Sequence, residues 1–131
     1  MAYVKPPFFV RKIGNKLVMR FGAGGASTLS VAGRKTGEQQ DIPVIPFDHE
    51  GDRYVVSTRG ESEWVRNLRV AGTCELRRKG VRQTWRAVEI PEPERAPILA
   101  AYRQAAGKTV NTYFKRLPDA ADHPTFRLER T

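Results

Sequence analysis

Residues 28–47 read TLSVAGRKTGEQQDIPVIPF, and this stretch decides the fold. Residues 28–31 alternate polar and apolar side chains, which is the pattern of a strand half-buried in a sheet. A connection bracketed by Gly33 and Gly37 follows, and apolar residues resume over 39–47. We therefore predict a β-hairpin. The two prolines of its second strand cannot donate ladder hydrogen bonds, which favours an edge or a bulge there.

Further short strands and helices follow this hairpin along the chain. Strands are predicted over residues 53–58, 73–78, 81–89 and 125–128, and the second and third flank Lys79-Gly80 as another hairpin. Helices are predicted over 63–70, 96–106 and 110–117, the first with Ser62 as N-cap and Gly72 as its end. Short strands joined by hairpins and bordered by helices predict a mainly β (α+β) fold, a small antiparallel barrel with peripheral helices.

The N-terminal segment has a different pattern from the rest of the chain. Phe9, Ile13, Leu17 and Phe21 recur every four residues, which predicts an amphipathic helix over residues 1–22 ahead of a barrel over 23–131. The other face is basic, and the first 21 residues contain no acidic side chain. Such a helix either packs its apolar stripe on the core or lies on an anionic membrane surface.

Length and composition limit the class of protein. A chain of 131 residues fits one domain, and 23 Lys and Arg against 14 Asp and Glu give a net charge of +9. That excess favours an anionic partner such as nucleic acid, anionic lipid or a phosphorylated ligand. The single Cys74 favours a reducing compartment. With no long apolar run and no signal-peptide pattern, we expect a soluble, cytoplasmic protein, with membrane association through the basic helix as the alternative.

The residues offer little chemistry of their own. His49 and His123 lie far apart without acidic or cysteine ligands at metal-binding spacing, so no metal site is predicted. No nucleophile elbow is present, and Cys74 lies inside a predicted strand. His49 falls in a polar turn, where a surface role is the simpler interpretation. If the chain is an enzyme, a cofactor should therefore supply the reactive group.

Two clusters could bind an anion. Arg34 and Lys35 lie in a glycine-bracketed loop, where backbone amides and two cations can approach a phosphate, although basic hairpin turns also serve solubility. The second cluster is Ser57-Thr58-Arg59-Gly60, at the end of a strand and just before a predicted helix N-terminus. Trp64 and Asn67 follow on that helix, where a tryptophan most often packs in the core.

Three runs together resemble a known family. They are LSVAGRKTG at 29–37 with Pro43 downstream, YVVSTRG at 54–60, and WVRNLR at 64–69, while HPTFRL at 123–128 resembles the closing segment. In order and spacing they resemble the deazaflavin-dependent nitroreductases, also called deazaflavin-dependent quinone reductases. The resemblance is good over about residues 25 to 90. It implies a split β-barrel like those that bind FMN, but one that binds the deazaflavin coenzyme F-420.

The resemblance also implies roles for individual residues. The cofactor-binding residues would be Arg34, Lys35, Thr36, Gly37, Pro43, Ser57, Thr58, Arg59, Trp64 and Asn67. The Arg-Lys loop and residues 57–59 would hold the phosphate and glutamate tail, the backbone at Pro43 would face the ring, and Trp64 and Asn67 would shape the pocket. A hydride would pass to a small-molecule acceptor, an activated alkene, quinone or enone. Tyr102 and Tyr113 are the candidate catalytic residues, as proton donors or substrate contacts.

Several alternatives stay open at this point. Val65 and Arg66 replace an aromatic residue and a histidine common in relatives, which leaves the acceptor pocket undefined. A barrel using FMN, a non-catalytic carrier, and a monomer or a homodimer are all compatible with the pattern. A nucleic-acid-binding barrel is the less favoured rival, with a basic hairpin and Trp85 as its binding face. The alternative without a nucleic-acid partner is that the basic face of this hairpin is solvated and Trp85 packs in the core.

Overall fold

The computed structural model describes residues 26–131, which form one curled antiparallel sheet with three helices. The predicted N-terminal helix over residues 1–22 lies outside the described residues. The strands are β1 Ser27–Ala32, β2 Gln39–Val44, β3 Phe47–His49, β4 Asp52–Val56, β5 Thr73–Arg78, β6 Val81–Glu89 and β7 Thr125–Arg130. The helices are α1 Glu63–Ala71, α2 Arg95–Ala106 and α3 Lys108–Arg116, with short 3-10 turns at Glu92–Glu94 and Ala120–Asp122.

The order of the strands explains why the sheet curls. It runs β2-β1-β5-β6-β7-β4-β3, so β2 and β3 are the two opposite edges. Along the chain only Ile45 and Pro46 separate these edges. Two linking residues bring the end of β2 to within about 11 Å of the start of β3. The sheet therefore closes on itself as a split barrel, which confirms the fold predicted from the sequence.

The same geometry corrects the prediction of one strand over residues 39–47. The chain forms two strands there, and they belong to opposite edges of the sheet. β2 pairs with β1, with Ile42 opposite Leu29, whereas β3 pairs with β4, with Phe47 opposite Tyr54. Pro46 lies at the crossing point, where its missing N–H costs no ladder hydrogen bond.

Two apolar clusters lie on the two faces of β4. Tyr54 and Val56 pack with α2 and α3, whereas Val55 points into the barrel interior beside α1. The outer cluster also contains Ile45, Phe47, Ile90, Ile98, Leu99, Tyr102, Ala106, Val110 and Phe114. The inner cluster also contains Leu29, Val31, Val44, Trp64, Val65, Leu68, Cys74, Leu76, Trp85, Phe126 and Leu128. A central strand buried on both faces thus joins the barrel to its helical cover.

Helix α1 begins and ends where its sequence predicts. Ser62 precedes it with extended backbone, and Gly72 ends it in the left-handed conformation, with φ of 74° and its N–H donating to the Leu68 carbonyl. β4 is shorter than predicted and stops at Val56. It stops there because the Ser57 amide donates to the Pro124 carbonyl at 2.9 Å and the Ser57 hydroxyl donates to the Gly60 carbonyl at 2.6 Å, which turns the chain.

Among residues 26–131, no helix combines the length and the apolar character that crossing a bilayer requires.

Candidate cofactor site

A cavity opens at the split between the barrel edges, between the two apolar clusters. The space between its walls, counted out to the part open to solvent, is about 600 Å³. Its lining includes seven of the residues predicted for the site: Pro43, Ser57, Thr58, Arg59, Trp64, Tyr102 and Tyr113. Ala26, Val44, Ile45, Val56 and Val110 complete the lining. Residues from β2, β4, α1, α2 and α3 therefore converge on one space.

The segment after β4 forms one wall and is held from several sides. Ser57 is 2% exposed, and its amide, hydroxyl and carbonyl are all hydrogen-bonded. Its hydroxyl already donates to Gly60, which leaves the oxygen lone pairs as its means of contacting a ligand. Gly60 has φ of 88°, a left-handed conformation that side chains rarely adopt. Ser57 and Gly60 thus fix the turn that presents Thr58 and Arg59 to the cavity.

Two phenols and one guanidinium lie together inside the cavity. Burial raises the pKa of Tyr102, and the nearby positive charge of Arg59 opposes that rise. Burial likewise raises the pKa of Tyr113, and the positive charge of Arg59 and a hydrogen bond from it act in the opposite direction. Both phenols therefore keep their protons at neutral pH. The cavity holds two potential proton donors next to a cation.

The Arg34 loop lies against the first turns of α1. Asn67 Oδ1 accepts from the Arg34 backbone N–H at 3.0 Å and from Arg34 Nη1 at 2.8 Å. Asn67 Nδ2 donates to Gln40 Oε1 at 2.8 Å, and Arg34 Nη2 lies 3.2 Å from Glu63 Oε1. The 6%-exposed Asn67 thus braces the loop from behind, and it is absent from the cavity lining. Glu63, which contacts Arg34, directly precedes Trp64 in the sequence.

The other loop residues close the turn or face solvent. A Cβ on Gly33 would lie 2.9 Å from the Glu38 carbonyl oxygen, so this close approach requires glycine. Thr36 Oγ1 accepts from the Glu38 N–H at 3.2 Å, and Gly37 N donates to the Gly33 carbonyl. Lys35 is exposed. The loop therefore presents two cations on a backbone that its own hydrogen bonds keep in shape.

Reasoning from the sequence missed some residues of this region. Glu63, an acid in the first turn of α1, contacts Arg34, which the sequence pattern does not predict. Val110 joins the cavity lining because α3 folds back over the split. His123 was dismissed as a metal ligand, yet it is completely buried and contacts the Ser57 carbonyl at 2.9 Å. A histidine followed by proline at a strand start gives no local signal for such a contact.

The geometry fits a flat ring attached to an anionic tail. Apolar walls from Val44, Val56 and Trp64 suit a ring, while Arg34 and Lys35 lie on the loop next to the helix that carries Trp64. The Ser62 hydroxyl, in a residue 4% exposed at the N-terminus of α1, has no hydrogen-bond partner among the described residues. A buried unpartnered donor beside a helix N-terminus suits an anion.

Other chemistry finds less support in residues 26–131. Burial raises the pKa of the Cys74 thiol to about 12, so it is not a nucleophile at neutral pH. Within this range no three His, Cys, Asp or Glu side chains are close enough to hold a metal ion. Trp85 is 5% exposed and packs in the inner cluster, so it offers no stacking surface for a nucleic-acid base.

The fold is a split barrel with a cavity at its open edge. The sequence profile described as F420H2-dependent quinone reductase matches residues 7–117. The chain belongs to this family, and coenzyme F-420 is its cofactor. Among curated proteins, none matches the chain significantly.

Solved structures share the fold at low sequence identity. A protein described as an F420-H2 dependent reductase has a TM-score of 0.59 and 18% identity over 79% of this chain and 93% of its own. A protein described as a domain-swapped dimer has a TM-score of 0.61 and 17% identity over 92% and 97%. A third, described as an F420 reductase, has a TM-score of 0.52 and 11% identity over 81% and 86%. These likenesses support the split-barrel fold.

Proposed function

We propose that this protein reduces a quinone, an enone or a related activated alkene with a hydride from reduced coenzyme F-420. One observation carries the proposal. Apolar walls, two protonated phenols and the Arg59 guanidinium share a single cavity, lined by residues of two strands, three helices and the turn after β4. Such a site suits an uncharged, flat acceptor on which negative charge develops during reduction.

The same geometry supports the cofactor contacts that the family resemblance implies. Bound reduced F-420 supplies the hydride. Arg34 and Lys35 bind the phosphate and glutamate tail, on the loop that Thr36 and Gly37 shape and Asn67 braces. The backbone at Pro43 and the Trp64 side chain border the ring, and Ser57 and Thr58 also line the cavity.

The resemblance assigns Arg59 to the cofactor tail, but Arg59 lies in the cavity beside Tyr102 and Tyr113, so we assign it with them to the acceptor. The positive charge of Arg59 stabilises the oxygen that becomes negative as the hydride arrives at carbon. Arg59 also donates to the Tyr113 hydroxyl oxygen, which leaves the phenolic proton of Tyr113 to point elsewhere. Tyr113 then delivers the proton that completes the reduction, and Tyr102 stays protonated as a wall of the pocket. The walls also exclude water from the path of the hydride.

Replacing Tyr113 by phenylalanine is expected to lower kcat by about a hundredfold, the lower end of what a positioned general acid contributes. Tyr102→Phe is the matched control, with a kcat within a few-fold of the parent if Tyr102 is a wall. Since the raised pKa of Tyr113 lies above the ordinary value of 10.0, the parent keeps this donor protonated up to that pH. Its kcat should therefore not fall through neutral pH. Equal kcat values for Tyr113→Phe and Tyr102→Phe would show that Tyr113 is not the proton donor.

The function itself is tested by turnover with purified reactants. The full chain is mixed with reduced F-420 and either a short-chain naphthoquinone or cyclohexenone, and the return of oxidised cofactor is followed by its visible absorbance. Catalysed oxidation with either acceptor supports the proposal, while NADPH with FMN should be inert. Tight binding of reduced F-420 with no acceptor turned over would instead identify a cofactor carrier.

A further inference from the structure

Arg69, in the last turn of α1, donates hydrogen bonds to two carboxylates at once. Its Nη1 and Nη2 donate to Glu61 Oε2 and Oε1 at 2.7 and 2.9 Å. Its Nε and Nη2 donate to Glu89 Oε1 and Oε2, both at 2.8 Å. Two edges of one planar guanidinium are therefore used, each in a two-point contact with a carboxylate. A lysine would carry the same charge but could not make these two-point contacts.

The two carboxylates belong to different parts of the fold. Glu61 lies in the turn between β4 and α1, whereas Glu89 is the last residue of β6. Glu89 also accepts a hydrogen bond at 3.3 Å from Arg95, the first residue of α2. Two acids and two arginines thus form a charge-balanced chain of ion pairs from the turn to α2. Isolated surface pairs contribute little, but a network with two-point contacts can hold a geometry.

The turn that contains Glu61 presents Arg59 to the cofactor cavity. The Gly60 carbonyl accepts from the Ser57 hydroxyl at 2.6 Å and from the Ser62 N–H at 2.8 Å, which folds the turn on itself. Glu61 directly follows Gly60, so its contact with Arg69 ties this folded turn to the flank of α1. The hydrogen bond from Arg69 lowers the pKa of Glu61, which keeps the carboxylate ionised and paired at neutral pH.

We propose that Arg69 is a positioning residue for the reduction: by binding both carboxylates, it fixes the turn that presents Arg59 to the acceptor. The catalytic consequence rests on the proposed function, whereas the attachment of the turn does not. Without the contact to Glu61, the turn keeps its internal hydrogen bonds but shifts relative to α1, and Arg59 moves with it. The Arg34 loop keeps its own contacts with the first turns of α1, so binding of the cofactor tail is spared.

The attachment of the turn is tested by hydrogen exchange and mass spectrometry on the full chain without cofactor. Arg69→Gln should raise the exchange rate of the amides of residues 57–62 by about fivefold, because the turn opens locally more often once its ion pair is lost. Arg86→Gln is the matched control, since it removes an arginine from another ion pair, with Glu129, and should leave these amides at the parent rate. Equal exchange rates in the two variants would overturn the proposal, whatever reaction the protein catalyses.

The positioning role is tested by steady-state kinetics with the naphthoquinone. Arg69→Gln should lower kcat by roughly tenfold, with F-420 affinity within about twofold of the parent, because a displacement of about 1 Å can cost up to a hundredfold in rate. Glu61→Gln should lower kcat to a similar extent, and the double variant should fall no further, since both changes break the same contact. Arg69→Lys keeps the charge without the two-point contacts, so its kcat should stay well below that of the parent.

Two kinetic outcomes would refute the positioning role. The first is a parent-level kcat in Arg69→Lys, which would show that charge alone matters, and the second is additive losses in the double variant. Glu61→Gln leaves Arg69 paired with Glu89, so it supplies the kinetic test if Arg69→Gln fails to fold. If the parent oxidises no reduced F-420 with any acceptor, the proposed function fails, while the exchange experiment still decides whether Arg69 holds the turn.

Discussion

Replacing Arg95 by methionine is expected to lower the free energy of unfolding by about 3 kcal/mol, because a buried guanidinium that donates three hydrogen bonds is lost. Arg95 is 7% exposed and uses three separate nitrogens. Nε donates to the Ile90 carbonyl at 2.9 Å, Nη1 to the Ala120 carbonyl at 3.1 Å, and Nη2 to Glu89 Oε2 at 3.3 Å. Methionine fills similar volume but removes the donor to the Ile90 and Ala120 carbonyls, while Glu89 keeps its two hydrogen bonds from Arg69.

The matched control for this prediction is Arg86→Met. Arg86 Nη2 lies 2.7 Å from Glu129 Oε1, a shorter contact than the Arg95–Glu89 pair, but the Arg86 side chain is 64% exposed. Water replaces that partner readily, so the expected loss is below about 1 kcal/mol. Urea unfolding of both variants, followed by tryptophan fluorescence, measures the difference. Similar losses in the two variants would show that burial of Arg95 is not what gives the network its strength.

The second large effect is expected at the loop that we assign to the cofactor tail. Arg34→Ala should weaken F-420 binding by about 2 to 3 kcal/mol, because a charge-assisted contact to phosphate is lost. Lys35→Ala should cost about 1 kcal/mol, since an exposed lysine must first be ordered to bind. Asn67 holds Arg34 through two hydrogen bonds before any ligand arrives, which is the physical reason for the difference. Fluorescence titration with F-420 measures both affinities.

Two further variants test whether the effect belongs to Arg34 or to net charge. Arg86→Ala removes the same charge from a distant strand and should leave the affinity nearly unchanged. Glu63→Gln should raise the affinity by about threefold, because Glu63 pairs with Arg34 at 3.2 Å and repels an incoming anion. If Arg34→Ala and Arg86→Ala behave alike, the tail lies elsewhere on the protein.

Much of the candidate site could be predicted from local pattern. The sequence predicts a glycine-bracketed loop at Arg34 and a turn after the strand that ends near Ser57. Both segments are connections between elements in the structure. The grouping of Pro43, Trp64 and Tyr102 around one cavity came from family resemblance, since no local pattern connects them. Their side chains are 21 or more positions apart in sequence, beyond the reach of helix or strand periodicity.

The remaining features depend on contacts that form only in the folded chain. The Arg34–Asn67 and Arg34–Glu63 contacts join a hairpin loop to a helix, and the His123 contacts join a closing segment to β4 and α3. The prediction of one strand over 39–47 was wrong for the same reason, because pairing partners and not composition decide where Phe47 belongs.

The sequence by itself determined most of the strands, the two hairpins, the ends of α1 and the two basic clusters, since these depend on periodicity, caps and turn residues within about ten positions. The tertiary structure alone decided that β2 and β3 face each other across a split and that a cavity forms there. It also decided which charges are buried. Closure of the sheet places side chains from distant segments in one low-dielectric space, and packing sets that outcome where local preference cannot.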